Sequence, residues 1–118
     1  VGQVTLDFPG GRVPAEQTPE QAAIATLERE LGIEAVKITQ LIPLNTEGWL
    51  VNSSFSSQKL YGFVAHIDAT TSLFPGTLWF KNPVTRAEVE QLLQKITCLQ
   101  CRAVFLEWWF HWESYLNL

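Results

Sequence analysis

Methionine is absent from this 118-residue chain, histidine and cysteine occur only twice each, and no apolar run reaches the about 18 residues of a helical membrane span. With no such run, no helical membrane span is expected in this sequence, and nothing resembles a signal peptide, so a cytoplasmic location is the default expectation. Basic residues are also scarce. Eight Lys and Arg stand against 12 Asp and Glu, for a net charge of -4. No basic stripe is available to neutralise phosphates along a duplex or a single strand, which argues against nucleic acid as a partner. Cys98 and Cys101 form one isolated Cys-x-x-Cys, with no second pair and no His at metal-ligand spacing. Zinc would need two more ligands and a redox role would need a thioredoxin-like context, so the two thiols are read as buried and structural. His66 sits in an apolar stretch and His111 among tryptophans, and no Ser-His-Asp arrangement follows from their spacing.

What is present suits one globular domain spanning residues 1–118: 47% of the chain is hydrophobic and 17% charged. Residues 4–33 carry the clearest local pattern. Val4 to Phe8 alternates like a strand, Pro9-Gly10-Gly11 opens a loop, and a helix should begin after Thr18. Thr18 is a good N-cap, Pro19 suits the first helical position, and Gln21 lies where a capping-box partner belongs. Ala22, Ala23, Ile24, Leu27 and Leu31 form the apolar face, and Gly32 is a natural stop.

The stretch from Asp7 to Ile33 resembles the Nudix box, aligned without a gap when the motif's glycines are set on Gly11 and Gly32. The family's first Glu falls on Gln17, its Arg on Ala25, its next Glu on Thr26, its aliphatic residue on Leu27, and its last two Glu on Arg29 and Glu30. The resemblance implies an α/β (α+β) fold, a Nudix-like α/β/α sandwich with a mixed sheet between helices. It also implies a small-molecule partner, a nucleoside diphosphate linked to another moiety such as ADP-ribose. Active members attack the pyrophosphate with water and use magnesium or manganese gathered by carboxylates. Carried over residue by residue, Glu30 is the catalytic and metal-ligating candidate, and Gly10 lends a backbone carbonyl to the metal. Gly10, Gly11, Arg12 and Arg29 are the substrate-binding candidates. Because the resemblance places several strands before the box, the chain is also expected to be a fragment or processed product lacking its first strands.

The departures from the family pattern bear on the chemistry. Residues three and four apart share a helix edge, so positions 26, 29 and 30 lie together and read Thr, Arg and Glu. A fixed cation stands where the ion would sit, which makes a poor divalent-metal site. Arg29 can instead pair with phosphate oxygens through its planar fork. Two readings follow: a weak or divergent pyrophosphohydrolase, with Glu16 or Glu20 assisting Glu30, or an inactive nucleotide-binding or regulatory module. A structural role through the tryptophan-rich last helix is a third.

Farther along, strands are expected at Ala35 to Leu44, Trp49 to Val51, Lys59 to Ile67 and Thr77 to Phe80. The polar loop from Asn52 to Gln58 is read as a solvated turn, with a ligand wall as the alternative. Asp68 is the nearest counterpart to the extra carboxylate some family members recruit from a late loop. Thr85 can cap a helix from Arg86 to Ile96, with Val89, Leu92, Leu93 and Ile96 inside. A last helix over Gln100 to Tyr115 sets Phe105, Trp109, Trp112 and Leu116 on one stripe, read as core, while Trp108, Phe110 and Trp112 point apart and offer a surface for a homodimer or another partner.

Overall fold

The structure is a computed structural model that describes residues 6–116, with side chains as far as residue 113. In chain order it contains α1 (Pro19–Leu31), a 3-10 turn (Ala35–Lys37), β1 (Ile38–Pro43), β2 (Trp49–Leu50), β3 (Lys59–Leu60), β4 (Phe63–Ile67), α2 (Arg86–Lys95) and α3 (Leu99–Leu116). The fold is mixed α+β. No helix among the described residues is long and apolar enough to cross a membrane. The described residues form two compact units, one from Pro9–Leu78 and the other from residues 6–8 together with residues 79–116.

In the first unit, α1 is fixed at both ends by local chemistry. The Thr18 hydroxyl accepts from the Gln21 N–H at 3.2 Å, and the Gln21 side chain accepts from the Thr18 N–H at 3.0 Å, closing the capping box. Gly32 ends the helix in the left-handed region (φ 74, ψ 19), and the N–H groups of Gly32 and Ile33 return to the carbonyls of Glu28 and Leu27. That glycine also answers to packing, because a Cβ at position 32 would lie 2.7 Å from the Phe74 ring. The Phe74 N–H donates to the Leu31 carbonyl at 2.9 Å, so the segment after β4 is laid across the helix end. Ala22, Thr26 and Ile33 are buried in this unit.

The strands are two separate two-stranded antiparallel ladders, β1 with β4 and β2 with β3. A mixed sheet was expected from the resemblance; among the described residues both ladders are antiparallel. In the longer ladder Leu41 faces Ala65 and Pro43 faces Phe63, with an irregularity between Ile38 and Gln40 where the Thr39 hydroxyl donates to the His66 carbonyl at 3.1 Å. Lys59 to Ile67 was expected as one strand. It divides at Tyr61 and Gly62 because Lys59 and Leu60 pair with β2 while Phe63 onward pairs with β1. Ala35–Lys37 coils as a 3-10 turn before β1 begins. Of the strand expected over Val4 to Phe8, residues 4 and 5 lie outside the described residues and residues 6–8 are not in a strand. Thr77 to Phe80 forms no strand either; it finds no pairing partner among the described residues, and Leu78 is 89% exposed.

In the second unit, Thr85 caps α2 through the Glu88 N–H at 3.2 Å, and α2 stops at Lys95, with Ile96 turning out of the helix. Val89, Ile96 and Phe105 form the buried centre, with Leu6, Leu92, Leu93, Cys101, Trp108 and Trp109 packed around it. Arg102 on α3 donates from Nη1 to the Leu93 carbonyl at 2.7 Å and the Ile96 carbonyl at 2.9 Å, supplying a cation to the C-terminal end of α2. Arg86 pairs with Glu113 across the two helices. The aromatic stack runs Phe105, Trp108, Trp112, with ring centroids 5.5 and 6.2 Å apart; Trp109 packs beside the core, and Phe110 is exposed. The side chain of Leu116 lies outside the described ones.

Two glycines with left-handed backbones separate conformational cost from packing cost. Gly76→Ala, at φ 83 with open space around it, should lose only the left-handed penalty of about 1–2 kcal/mol. Gly32→Ala should lose that and the Phe74 contact as well, so its denaturation midpoint should fall clearly below that of the Gly76 variant.

Candidate functional site

The phase of α1 sets Thr26, Arg29 and Glu30 on one edge, and the glycine loop lies against it. The Gly10 N–H donates to Glu30 Oε1 at 3.4 Å. Arg29 Nη2 donates to Thr26 Oγ1 at 3.3 Å and lies 3.5 Å from Glu30 Oε2. A Cβ on Gly11 would come within 2.6 Å of Arg29 Nη2 and 3.1 Å of Thr26 Oγ1, so residue 11 must be small for the loop to approach. Gly10 has no such neighbour, since nothing lies within 4 Å of the Cβ it lacks. Thr26 is buried, whereas the side chains of Arg29 and Glu30 are 61% and 37% exposed. Gly10, Gly11, Arg29 and Glu30 are thus brought together. Arg12 is not: it is exposed and makes no hydrogen bond or ion pair among the described residues.

The donor set does not suit magnesium or manganese. Magnesium keeps several waters and is held through one or two carboxylates and substrate phosphates, so what the protein must supply is a carboxylate without a competing positive charge beside it. Here one carboxylate is available, with one oxygen taken by the Gly10 N–H and the other facing a guanidinium. Glu16 and Glu20 do not assemble around it; among the described residues, the only close group of three His, Cys, Asp or Glu ligand atoms is Asp7, Cys98 and Cys101, in the other unit.

Asp68 serves its own turn. Its Oδ1 accepts from the Thr70 N–H and the Thr70 hydroxyl, both at 2.8 Å, and the N–H bond leads in holding the carboxyl below its usual range. The polar loop from Asn52 to Gln58 is likewise closed on itself, with Asn52 accepting from the N–H groups of Ser54, Phe55 and Ser56. His66 is exposed on β4, and His111 lies 2.9 Å from Glu107 one turn away on α3. The thiols read as buried are only partly so, and the approach of Asp7 to them was not foreseen; Cys-x-x-Cys is the one sequence signal that marked the place.

Comparison with known proteins yields one short similarity. A stretch of 32 residues is 56% identical to a Haemophilus influenzae protein described as an 8-oxo-dGTP diphosphatase, covering 27% of this chain and 24% of that protein. The chain therefore matches about a quarter of that relative's length. No family model matches the chain, and no solved structure matches it.

Gly11→Ala tests the close approach. The atom in the way is the end of a flexible side chain, so thermal stability should change by less than about 1 kcal/mol. The Arg29 guanidinium should move, seen as a changed Arg29 Nε–Hε resonance in a two-dimensional NMR spectrum. An unchanged resonance would mean that the loop does not lie on this edge.

Proposed function

We propose that the chain is a Nudix-like domain over residues 1–118 whose box has become a metal-independent binding site for the diphosphate of a nucleoside diphosphate derivative. One observation carries this reading: the Arg29 guanidinium sits on the Thr26–Glu30 edge beside the glycine loop, where active family members need a cation-gathering carboxylate. The order of loop and capped helix and the 32-residue similarity to a diphosphatase support the family assignment. Arg29 is available to a ligand because an exposed ion pair contributes only about 0–1 kcal/mol, whereas hydrogen bonds from a guanidinium to phosphate contribute about 1.5–3 kcal/mol. A phosphate can displace Glu30 and take the two parallel donors in a fork. The Gly10 N–H, released with Glu30, adds a backbone donor on the same side.

The second reading, a weak metal-dependent pyrophosphohydrolase acting on an ADP-ribose-like substrate, is favoured by the 56% identity over 32 residues to a protein described as a diphosphatase. It requires carboxylates beyond Glu30.

Calorimetric titration with ADP and ADP-ribose, in magnesium, manganese and chelator, separates the two, with product analysis alongside. Binding should have the same affinity in all three media and show no turnover. Arg29→Ala should weaken it roughly 10- to 100-fold, and Glu30→Gln, which removes the competing anion, should bind as well or better. Metal-dependent turnover that disappears in Glu30→Gln would establish the hydrolase instead.

A further inference from the structure

The second compact unit holds a cluster that the nucleotide-site reading does not use. Asp7, Cys98 and Cys101 present one carboxylate oxygen and two sulfurs, all within 4.8 Å of one another. We propose that these three side chains form a binding site for a thiophilic divalent cation, with zinc as the fitting ion and one coordination position left to solvent.

The placement has local causes. Cys98 directly precedes α3, where the Arg102 N–H donates to its carbonyl at 2.9 Å, and Cys101 lies in the first turn. A spacing of three residues at a helix start brings both sulfurs to one side. The third ligand comes from the other end of the sequence. The Phe8 N–H donates to Cys101 Sγ at 3.5 Å, and the Phe8 and Phe105 rings meet with centroids 6.0 Å apart, so the segment bearing Asp7 is held against α3 by two contacts that do not involve Asp7 itself.

The chemistry selects the ion. Two thiolates favour zinc over magnesium or calcium, which take all-oxygen sets, and a carboxylate completes a three-ligand face of a tetrahedron. Zn–S bonds of about 2.3 Å set tetrahedral sulfurs about 3.8 Å apart, a spacing that lies inside the 4.8 Å within which the three ligand atoms already meet. The N–H groups at the helix start also favour the anionic sulfur a metal needs: the Cys101 N–H, first among them, holds the Cys98 thiol below its usual range. Burial pushes the Cys101 thiol the other way, a cost that a bound cation offsets.

Cobalt substitution tests the site in the full chain, kept reduced. Titration with cobalt(II) should give one equivalent of binding, with thiolate-to-cobalt charge transfer in the near ultraviolet and the intense visible bands of a four-coordinate ion, all removed by adding zinc. Cys98→Ser and Cys101→Ser should each weaken binding at least about 10-fold, and Asp7→Asn about 10-fold with both thiolate bands kept and the visible bands shifted. Far-ultraviolet circular dichroism should show each variant still helical, and the spectrum of the unaltered chain decides the matter even where a variant is not. Absence of charge transfer at stoichiometric cobalt, weak six-coordinate bands, or unchanged affinity and spectrum in Asp7→Asn would each overturn the proposal.

Discussion

Helix α1 is capped reciprocally by Thr18 and Gln21 at its start and stopped by a left-handed Gly32 at its end, and these two events set its phase. Phase decides that Thr26, Arg29 and Glu30 share an edge, and that edge receives the glycine loop through the Gly10 N–H. An N-cap contributes only about 1 kcal/mol, yet here it fixes the register of every side chain that follows. The other end is held harder, because the Phe74 ring fills the space a side chain at position 32 would need. A side chain at position 11 would therefore push the Arg29 guanidinium aside, whereas one at position 32 would meet the Phe74 ring in a backbone conformation that favours glycine.

Charge then determines what such a fit can do. Two further carboxylates beside Glu30 would make the edge a basin for a divalent cation, with the loop carbonyls nearby. A guanidinium at position 29 reverses the sign of one contributor, and a buried threonine at position 26 supplies a neutral hydroxyl that holds it in place. The anion-gathering property of Arg and the cation-gathering property of clustered carboxylates are opposite uses of one scaffold. Glu30, paired with Arg29 and the Gly10 N–H, acts as a counter-ion in the structure as it stands.

The unit containing α2 and α3 is organised differently. Its buried centre of Val89, Ile96 and Phe105 is small, and polar ties define its geometry: Arg102 reaches the carbonyls at the end of α2, and Arg86 pairs with Glu113. An Arg that satisfies two carbonyls of another helix both closes that helix and sets the position of its own. The start of α3 then carries Cys98 and Cys101, and Phe8 packs onto it. Residues more than ninety positions apart in the chain meet there because of that packing.

Local chemistry made much of this legible in advance. The caps of α1 and α2, the stop at Gly32, the shared edge of residues 26, 29 and 30 and the core positions Val89, Ile96 and Phe105 all follow from propensity, capping and helical period, which act over a few residues. Strand pairing does not act locally. The division of Lys59 to Ile67 between two partners, the absence of a strand at Thr77 to Phe80 and the antiparallel pairing of both ladders depend on which segment lies alongside. The same holds for side chains that meet from distant positions. Sequence alone determined which residues share a face of each helix, because the repeat of a helix is built into its backbone; only the tertiary structure decided that Gly11 meets Arg29 and that Asp7 meets Cys98 and Cys101, because such meetings depend on packing between segments far apart in the chain.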